Sequence, residues 1–225
     1  MCAHNIDAHK AVIEHMLRSL NAPAPEGNPF ILKGGTALME CYGLDRFSED
    51  IDLDCERAKV SGKRFVQAIE QACHIAGFAY RVGKDTPTVQ RVFVDYGNPQ
   101  RPLKVELSHR RKVVDVDVIA VVSGIKTYTI SELCEQKCAA YMSRDKIRDL
   151  FDLTFIAEQH WAQLNQSART MLQRAFEYKD IRQLDYLLET QSDPLIDAQQ
   201  LEDRFLQTMD KVGLLTVPED AEPEL

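Results

Sequence analysis

The sequence predicts an α+β fold: a small mixed β-sheet flanked by helices, followed by a C-terminal helical lobe. Three observations predict it. Two short strand-like stretches enclose one helical segment between residues 30 and 54, the hydrophobic period becomes two between residues 78 and 121, and from Thr129 onward the pattern is helical. The expected division is a core over residues 1–128 and a helical domain over 129–225. At 225 residues and 44% hydrophobic side chains, the chain has enough apolar surface to build a real core, which excludes disorder.

Ile6, Val12, Ile13, Met16, Leu17 and Leu20 recur at helical spacing, so residues 6–20 read as an amphipathic helix. The proline- and glycine-containing stretch from Asn21 to Pro29 ends it. Phe30-Ile31-Leu32 reads as a short buried strand that stops at Gly34-Gly35-Thr36, and Ala37 to Tyr42 as a short helix. Asp50 to Asp54 alternates strictly, as a strand does. Residues 61–76 place Phe65, Ile69, Ala72 and Cys73 on one side of a helix. Val89–Tyr96, the turn Gly97-Asn98-Pro99 and Leu103–Leu107 read as a hairpin, and Val113–Val121 as a further β-like stretch. Thr129 to Glu132 is a capping box that opens a helical segment; carried on beyond Leu153 it sets Lys137, Tyr141, Arg144 and Arg148 in one stripe, and a break near Ser143 is the alternative. Residues 162–212 are helical segments rich in Leu and Gln, and Val217–Leu225 is an acidic tail.

Charge is unevenly placed. The net charge is -8, and residues 161–225 hold 6 basic and 13 acidic side chains. Residues 81–112 instead carry Arg81, Lys84, Arg91, Arg101, Lys104, Arg110, Arg111 and Lys112 against only Asp85, Asp95 and Glu106. An acidic protein is a poor candidate for a duplex-DNA reader, while a confined basic segment suits a polyanionic substrate or a solvated hairpin. No apolar run approaches the roughly 18 residues of a membrane span. Met1-Cys2-Ala3-His4 opens no signal peptide, and the six cysteines include no Cys-x-x-Cys pair. The expectation is a cytoplasmic protein with reduced thiols, no membrane association and no zinc site.

The segment that carries chemistry is Lys33-Gly34-Gly35-Thr36 followed, thirteen residues later, by Asp50-Ile51-Asp52. Paired glycines after a strand let the backbone approach a ligand, and the following helix N-terminus suits phosphate. Asp50 and Asp52, two apart on a strand, project from one face, while Ile51 and Leu53 anchor the other. Two carboxylates held that close call for a cation, and Mg²⁺ takes oxygen ligands of this kind. The alternative is a solvent-facing acidic strand in which Asp54 continues the row. A third carboxylate is expected nearby; Glu106, which shares a strand face with Lys104, is preferred, and Asp115 or Asp117 is the alternative. The cationic stripe of Lys137, Arg144 and Arg148 suits a triphosphate or, equally, local pairing with acids such as Asp152. No Gly-x-Ser-x-Gly occurs.

Gly34-Gly35-Thr36 with Arg46-Phe47-Ser48-Glu49-Asp50-Ile51-Asp52-Leu53 resembles the first motif of the DNA polymerase β-like nucleotidyltransferases, and the run Leu32 to Leu53 resembles the AbiEii/AbiGii-type toxins among them. Lys104-Val105-Glu106 stands at the place of the second motif, and Lys137 with Arg144–Leu153 resembles the third. Gly-Gly-Thr replaces the more familiar Gly-Ser. The resemblance implies Asp50, Asp52 and Glu106 as ligands of Mg²⁺. It also implies Gly34, Gly35, Thr36, Arg46, Ser48, Lys137 and Asp149 as nucleotide-binding residues, with Lys137 also catalytic. It further implies an NTP substrate, nucleoside monophosphate transfer to the 3′ end of tRNA, and a cognate antitoxin. Transfer to a protein hydroxyl and a binding module without turnover are the alternatives.

Overall fold

The computed structural model describes residues 3–23, 27–56, 62–98, 101–111, 113–179 and 181–214. The expected tail at 217–225 lies outside them, as do Met1, Cys2, Ala24, Pro25, Glu26, Pro99 and Lys112 of the segments read above. Two compact units make up the chain, residues 1–133 and 134–225.

The first unit is built on a seven-stranded sheet. Its strands are β1 (Phe30–Lys33), β2 (Ile51–Cys55), β3 (Ala79–Asp85), β4 (Val89–Asp95), β5 (Leu103–Ser108), β6 (Ile119–Val122) and β7 (Ile125–Tyr128). They lie in the order β3-β4-β5-β2-β1-β7-β6. The sheet is mixed: β2 pairs in parallel with β5 and β1 with β7, and the other neighbours are antiparallel. Ile31, Ile51, Val92, Val94, Val105 and Leu107 are fully buried, as apolar positions on a covered sheet face must be.

Helix α1 (Ala3–Leu20) buries Val12, Ile13, Met16, Leu17 and Leu20, the stripe its spacing predicts. It packs on α3 (Gly62–Ala76), whose Phe65, Ile69, Ala72 and Cys73 are buried in turn. Helix α2 (Gly34–Tyr42) starts at the glycines themselves, three residues before the expected Ala37. It stops at Gly43, whose φ of 79° permits the left-handed C-cap, with Gly43 N–H donating to the Leu38 carbonyl.

The stretch 113–121 departs from expectation. Residues Val116–Val118 form a 3₁₀ turn that Asp115 caps by accepting from Asp117 N–H. Only then does β6 begin, returning as β7 through Ser123 (φ 50°) and Gly124 (φ 79°). Positive φ at both central residues of a two-residue hairpin matches the twist of the strands. The sequence hid this hairpin because Ser-Gly is a weaker turn signal than Asn-Gly, and Val113 to Val121 reads as one alternating run.

Helix α4 (Ile130–Ser143) opens as the capping box predicts, with Thr129 Oγ1 accepting from Glu132 N–H at 3.3 Å. The second unit continues with α5 (Ile147–His160), α6 (Gln166–Tyr178), α7 (Ile181–Thr190) and α8 (Ala198–Lys211). Helix α5 is buried at Ile147 and at every position from Asp149 to Ala157, so it is the core of this unit. Phe176 and Phe205 meet edge to face at 5.2 Å between ring centres. The break near Ser143 is the alternative that holds: α4 ends at Ser143 and α5 begins at Ile147, so the continuous stripe is corrected and Arg148 belongs to a separate helix from Lys137.

Candidate active site

Strand β1 runs directly into α2, and the junction is made by two glycines with different jobs. Gly34 has φ 73°, a conformation that favours glycine, and a β-carbon there would stand 3.6 Å from Asp52 Oδ2. The backbone of the turn therefore lies against the Asp52 carboxylate. At Gly35 a β-carbon would come within 2.8 Å of Ser48 Oγ and 3.0 Å of Arg46 Nη2. Those two side chains fill the space that the missing β-carbon leaves.

The rest of the loop is fastened from within. Thr36, 1% exposed, donates its hydroxyl to the Asp50 carbonyl and shares a hydrogen bond with the Ser48 hydroxyl, which ties the start of α2 to the approach of β2. Arg46 is buried and donates to the Phe47 carbonyl at 3.1 Å. His9 on α1 bonds the Glu49 carbonyl through Nε2 at 2.8 Å and the Tyr96 hydroxyl through Nδ1 at 2.6 Å. Sequence reasoning missed His9: on its own helix it is one polar residue in an amphipathic stripe.

Parallel pairing of β2 and β5 sets the carboxylates. Ile51 pairs with Val105 and Asp52 with Glu106, so the two acids stand opposite each other on adjacent strands. Asp50 and Asp52 remain partly exposed, at 43% and 39% of their side chains. Partial burial raises the Asp52 pKa, the charges of Asp50 and Glu106 raise it further, and Lys104 and Lys33 pull it back; the balance stays above the ordinary carboxylate range.

Two cations of the basic segment, which the sequence did not pair with particular acids, hold these carboxylates. Lys104 Nζ lies 2.7 Å from Asp50 Oδ2 and 3.9 Å from Asp52 Oδ1. Arg91 on β4, paired with Glu106 across β4 and β5, donates Nε to Glu106 Oε2 at 2.7 Å. Among the described residues, no three or more His, Cys, Asp or Glu side chains are gathered closely enough to hold a metal ion as they stand. The donor chemistry nonetheless fits Mg²⁺: three hard carboxylates on one face, electrostatically coupled, with an ammonium already bridging toward two of them.

Asp54 ends the acidic row differently from the first two. It is 3% exposed, accepts from Lys33 Nζ at 2.6 Å through Oδ1 and from the Tyr128 hydroxyl at 2.8 Å through Oδ2. Burial drives the Tyr128 phenol far above its usual pKa, and the Asp54 charge adds to the effect, so Tyr128 remains a donor. A solvent-facing acidic strand is thus ruled out at this end. Asp115 and Asp117 are exposed on the 3₁₀ turn, one capping it, and neither lies on a strand beside β2.

Much of the basic segment is consumed by pairing. Arg91, Arg101, Lys104 and Arg111 contact Glu106, Glu49, Asp50 and Glu132 respectively, and Arg81 stacks over the Phe93 ring at 4.1 Å. Arg81, Lys84 and Arg110 are exposed.

In the second unit, Lys137 Nζ lies 2.5 Å from Asp152 Oδ2 and 3.5 Å from Asp149 Oδ1. Both acids are buried, Asp152 completely. Arg144 grips Asp149 with two bonds, Nε to Oδ2 at 2.6 Å and Nη2 to Oδ1 at 3.0 Å. Burial alone would raise the Asp149 pKa; the Arg144 fork and the Lys137 charge outweigh it and hold the carboxyl below the ordinary range. Arg148 pairs with Asp193. The structure therefore gathers Asp50, Asp52, Glu106, Gly34, Gly35, Thr36, Arg46 and Ser48 in the first unit, and Lys137 with Asp149 in the second.

A family model described as nucleotidyl transferase AbiEii toxin of type IV toxin–antitoxin systems matches residues 15–222. Among solved structures, an H. pylori protein described as a nucleotidyltransferase superposes with a TM-score of 0.74 at 25% identity, covering 93% of this chain and 95% of its own. JHP933 from Helicobacter pylori gives the same TM-score and identity over 94% and 93% of the two chains. MenT4, a nucleotidyltransferase toxin from Mycobacterium tuberculosis, shares the fold at a TM-score of 0.57 and 18% identity over 96% and 86%. No curated protein matches the chain in sequence.

Proposed function

The chain belongs to the AbiEii nucleotidyltransferase toxin family of type IV toxin–antitoxin systems, and from that premise we propose that it transfers a nucleoside monophosphate from an NTP to the 3′ end of tRNA. The observation that carries this reading is the pairing of Asp52 with Glu106 across parallel strands, beside a glycine turn whose backbone adjoins Asp52. A carboxylate set next to a phosphate-accepting backbone is what nucleotidyl transfer requires.

Asp50, Asp52 and Glu106 are the residues that would hold Mg²⁺, which when bound polarises phosphate oxygens and lowers the pKa of an attacking hydroxyl. The bond that forms joins the acceptor oxygen to the α-phosphorus; the bond that breaks releases pyrophosphate, and the hydroxyl proton passes to solvent or base. Gly34 and Gly35 offer main chain that carries no side chain of its own. Thr36, Arg46, Ser48 and His9 act by fixing the loop that carries Asp50. Lys137 and Asp149 form the cation–carboxylate unit assigned to the nucleotide. The exposed Arg81, Lys84 and Arg110 support a nucleic-acid acceptor, because phosphate contacts need basic side chains that solvent can reach. Action on NTP and tRNA makes the cytoplasm its place of work, with a cognate antitoxin as partner. No helix among the described residues is long and apolar enough to cross a membrane.

The test is label transfer from each of four α-labelled NTPs, with Mg²⁺, to total bacterial RNA, run beside Asp50→Asn. A tRNA-sized labelled band that disappears in the variant is expected. Label on protein alone would replace the acceptor with a protein hydroxyl, and label retained by Asp50→Asn would overturn the site.

A further inference from the structure

Each strand neighbouring the carboxylates supplies them a cation, and the division between those cations is unequal. Glu106 is claimed by Arg91 from β4, on the side of β5 away from β2. Lys33 is claimed by Asp54, buried beneath it. Lys104 reaches toward β2 and takes Asp50, with Asp52 within 3.9 Å. Its side chain is 27% exposed, so the ammonium sits among the acids rather than in solvent.

That location conflicts with the demands of the site. A divalent cation on Asp50 and Asp52 would share the same oxygens with a positive charge only a few ångströms off, and like charges at such a separation repel strongly outside bulk water. Lysine differs from arginine in being a point charge on a flexible four-carbon stem, able to leave one anion for another without breaking a planar two-bond fork. The fork at this site belongs to Arg91, and the mobile ammonium to Lys104.

We infer that Lys104 is a resident counter-ion of the Asp50–Asp52 pair which a divalent cation must displace, and that the displaced ammonium then binds the phosphates of the nucleotide. The inference rests on the proposed reading of these carboxylates as metal ligands and adds to it a residue that exchanges partners. It makes metal and nucleotide binding cooperative: the metal frees the ammonium, and the ammonium holds the triphosphate.

Binding measurements separate the two ideas. Mn²⁺ is titrated into the full chain without nucleotide, with free Mn²⁺ read by electron paramagnetic resonance, for wild type, Lys104→Met, Lys104→Gln and Asp52→Asn. Lys104→Gln keeps the polarity and most of the length, so it serves if the methionine variant does not fold. Removing the ammonium should tighten Mn²⁺ binding about tenfold, the scale of one close charge removed from a partly solvated site. A non-hydrolysable NTP, titrated by calorimetry at saturating Mn²⁺, should bind the same variants about tenfold more weakly than wild type, for loss of one charge-assisted phosphate contact. Unchanged or weaker Mn²⁺ binding would overturn the displacement, and unchanged nucleotide affinity would overturn the transfer to phosphate. Asp52→Asn binding Mn²⁺ as well as wild type would overturn the metal reading itself, and this inference with it.

Discussion

Asp52 and Glu106 face each other across the parallel strands β2 and β5, yet they meet different cations: Lys104 of β5 lies 3.9 Å from Asp52, and Arg91 of β4 bonds Glu106. The pairing concentrates negative charge where folding alone would not place it. Holding Asp52 ionised costs the native state something, since its pKa is raised by burial and by its two acidic neighbours.

From this follows an expectation for Asp52→Asn. A carboxylate whose folded pKa is raised destabilises the fold at neutral pH, so removing its charge should leave the melting temperature unchanged or higher. Transfer activity should fall at least a hundredfold, roughly the loss seen when a group stabilising the transition state is removed. Calorimetric melting alongside the label-transfer assay checks both. A lowered melting temperature would mean that Asp52 is a structural residue.

Gly35→Ala tests the packing of the turn. The added β-carbon would stand 2.8 Å from Ser48 Oγ and 3.0 Å from Arg46 Nη2, neither of which can retreat freely because Thr36 holds Ser48 and Arg46 is buried. Overpacking of this kind costs about 1–3 kcal/mol. The expected result is a modest fall in stability with a larger fall in nucleotide affinity, read by denaturant titration and by calorimetry. Wild-type affinity in the variant would detach the turn from nucleotide binding.

Lys137→Met should behave as a stability variant as well as an activity variant. It removes the Lys137 ammonium from Asp152, which is wholly buried, and weakens the cage of Asp149. Breaking a buried ion pair from one side costs about 3–5 kcal/mol. The double variant Lys137→Met/Asp152→Asn should recover part of that loss in thermal unfolding. Equal stability of wild type and Lys137→Met would show that the pair carries no structural load, and would strengthen a purely catalytic role for Lys137.

Acid should loosen the second unit through Asp149. Its folded pKa is held down, chiefly by the Arg144 fork against the opposing effect of burial, so in acid the unfolded chain binds the proton first. The stability this contributes is complete above the unfolded aspartate value of about 3.9 and is lost as the pH falls through the lower folded value. Asp149→Asn should be less stable than wild type at neutral pH and should show a flatter dependence below pH 4. A parallel acid profile for the two proteins would contradict the assignment.

The sequence by itself determined the local structure and the chemistry of the first motif. The buried stripes of α1 and α3, the hairpin of β4 and β5, and the two-residue spacing of Asp50 and Asp52 are all written in periodicities of 3.6 and 2. The glycine pair was legible as a close-approach turn because few other residues tolerate such a backbone. Tertiary structure decided everything that depends on register between distant segments. Residues 52 and 106 are opposite only because β2 and β5 pair in parallel after a crossover of nearly fifty residues, and no local pattern encodes that alignment. The same long-range pairing put Tyr128 on Asp54, turning one acid of an evenly spaced row into a buried acceptor while its neighbours stayed near solvent. It also chose the partners of Lys104 and Arg91. A side chain's charge is read from its letter, but what neutralises that charge is set by which strands the fold brings within a few ångströms.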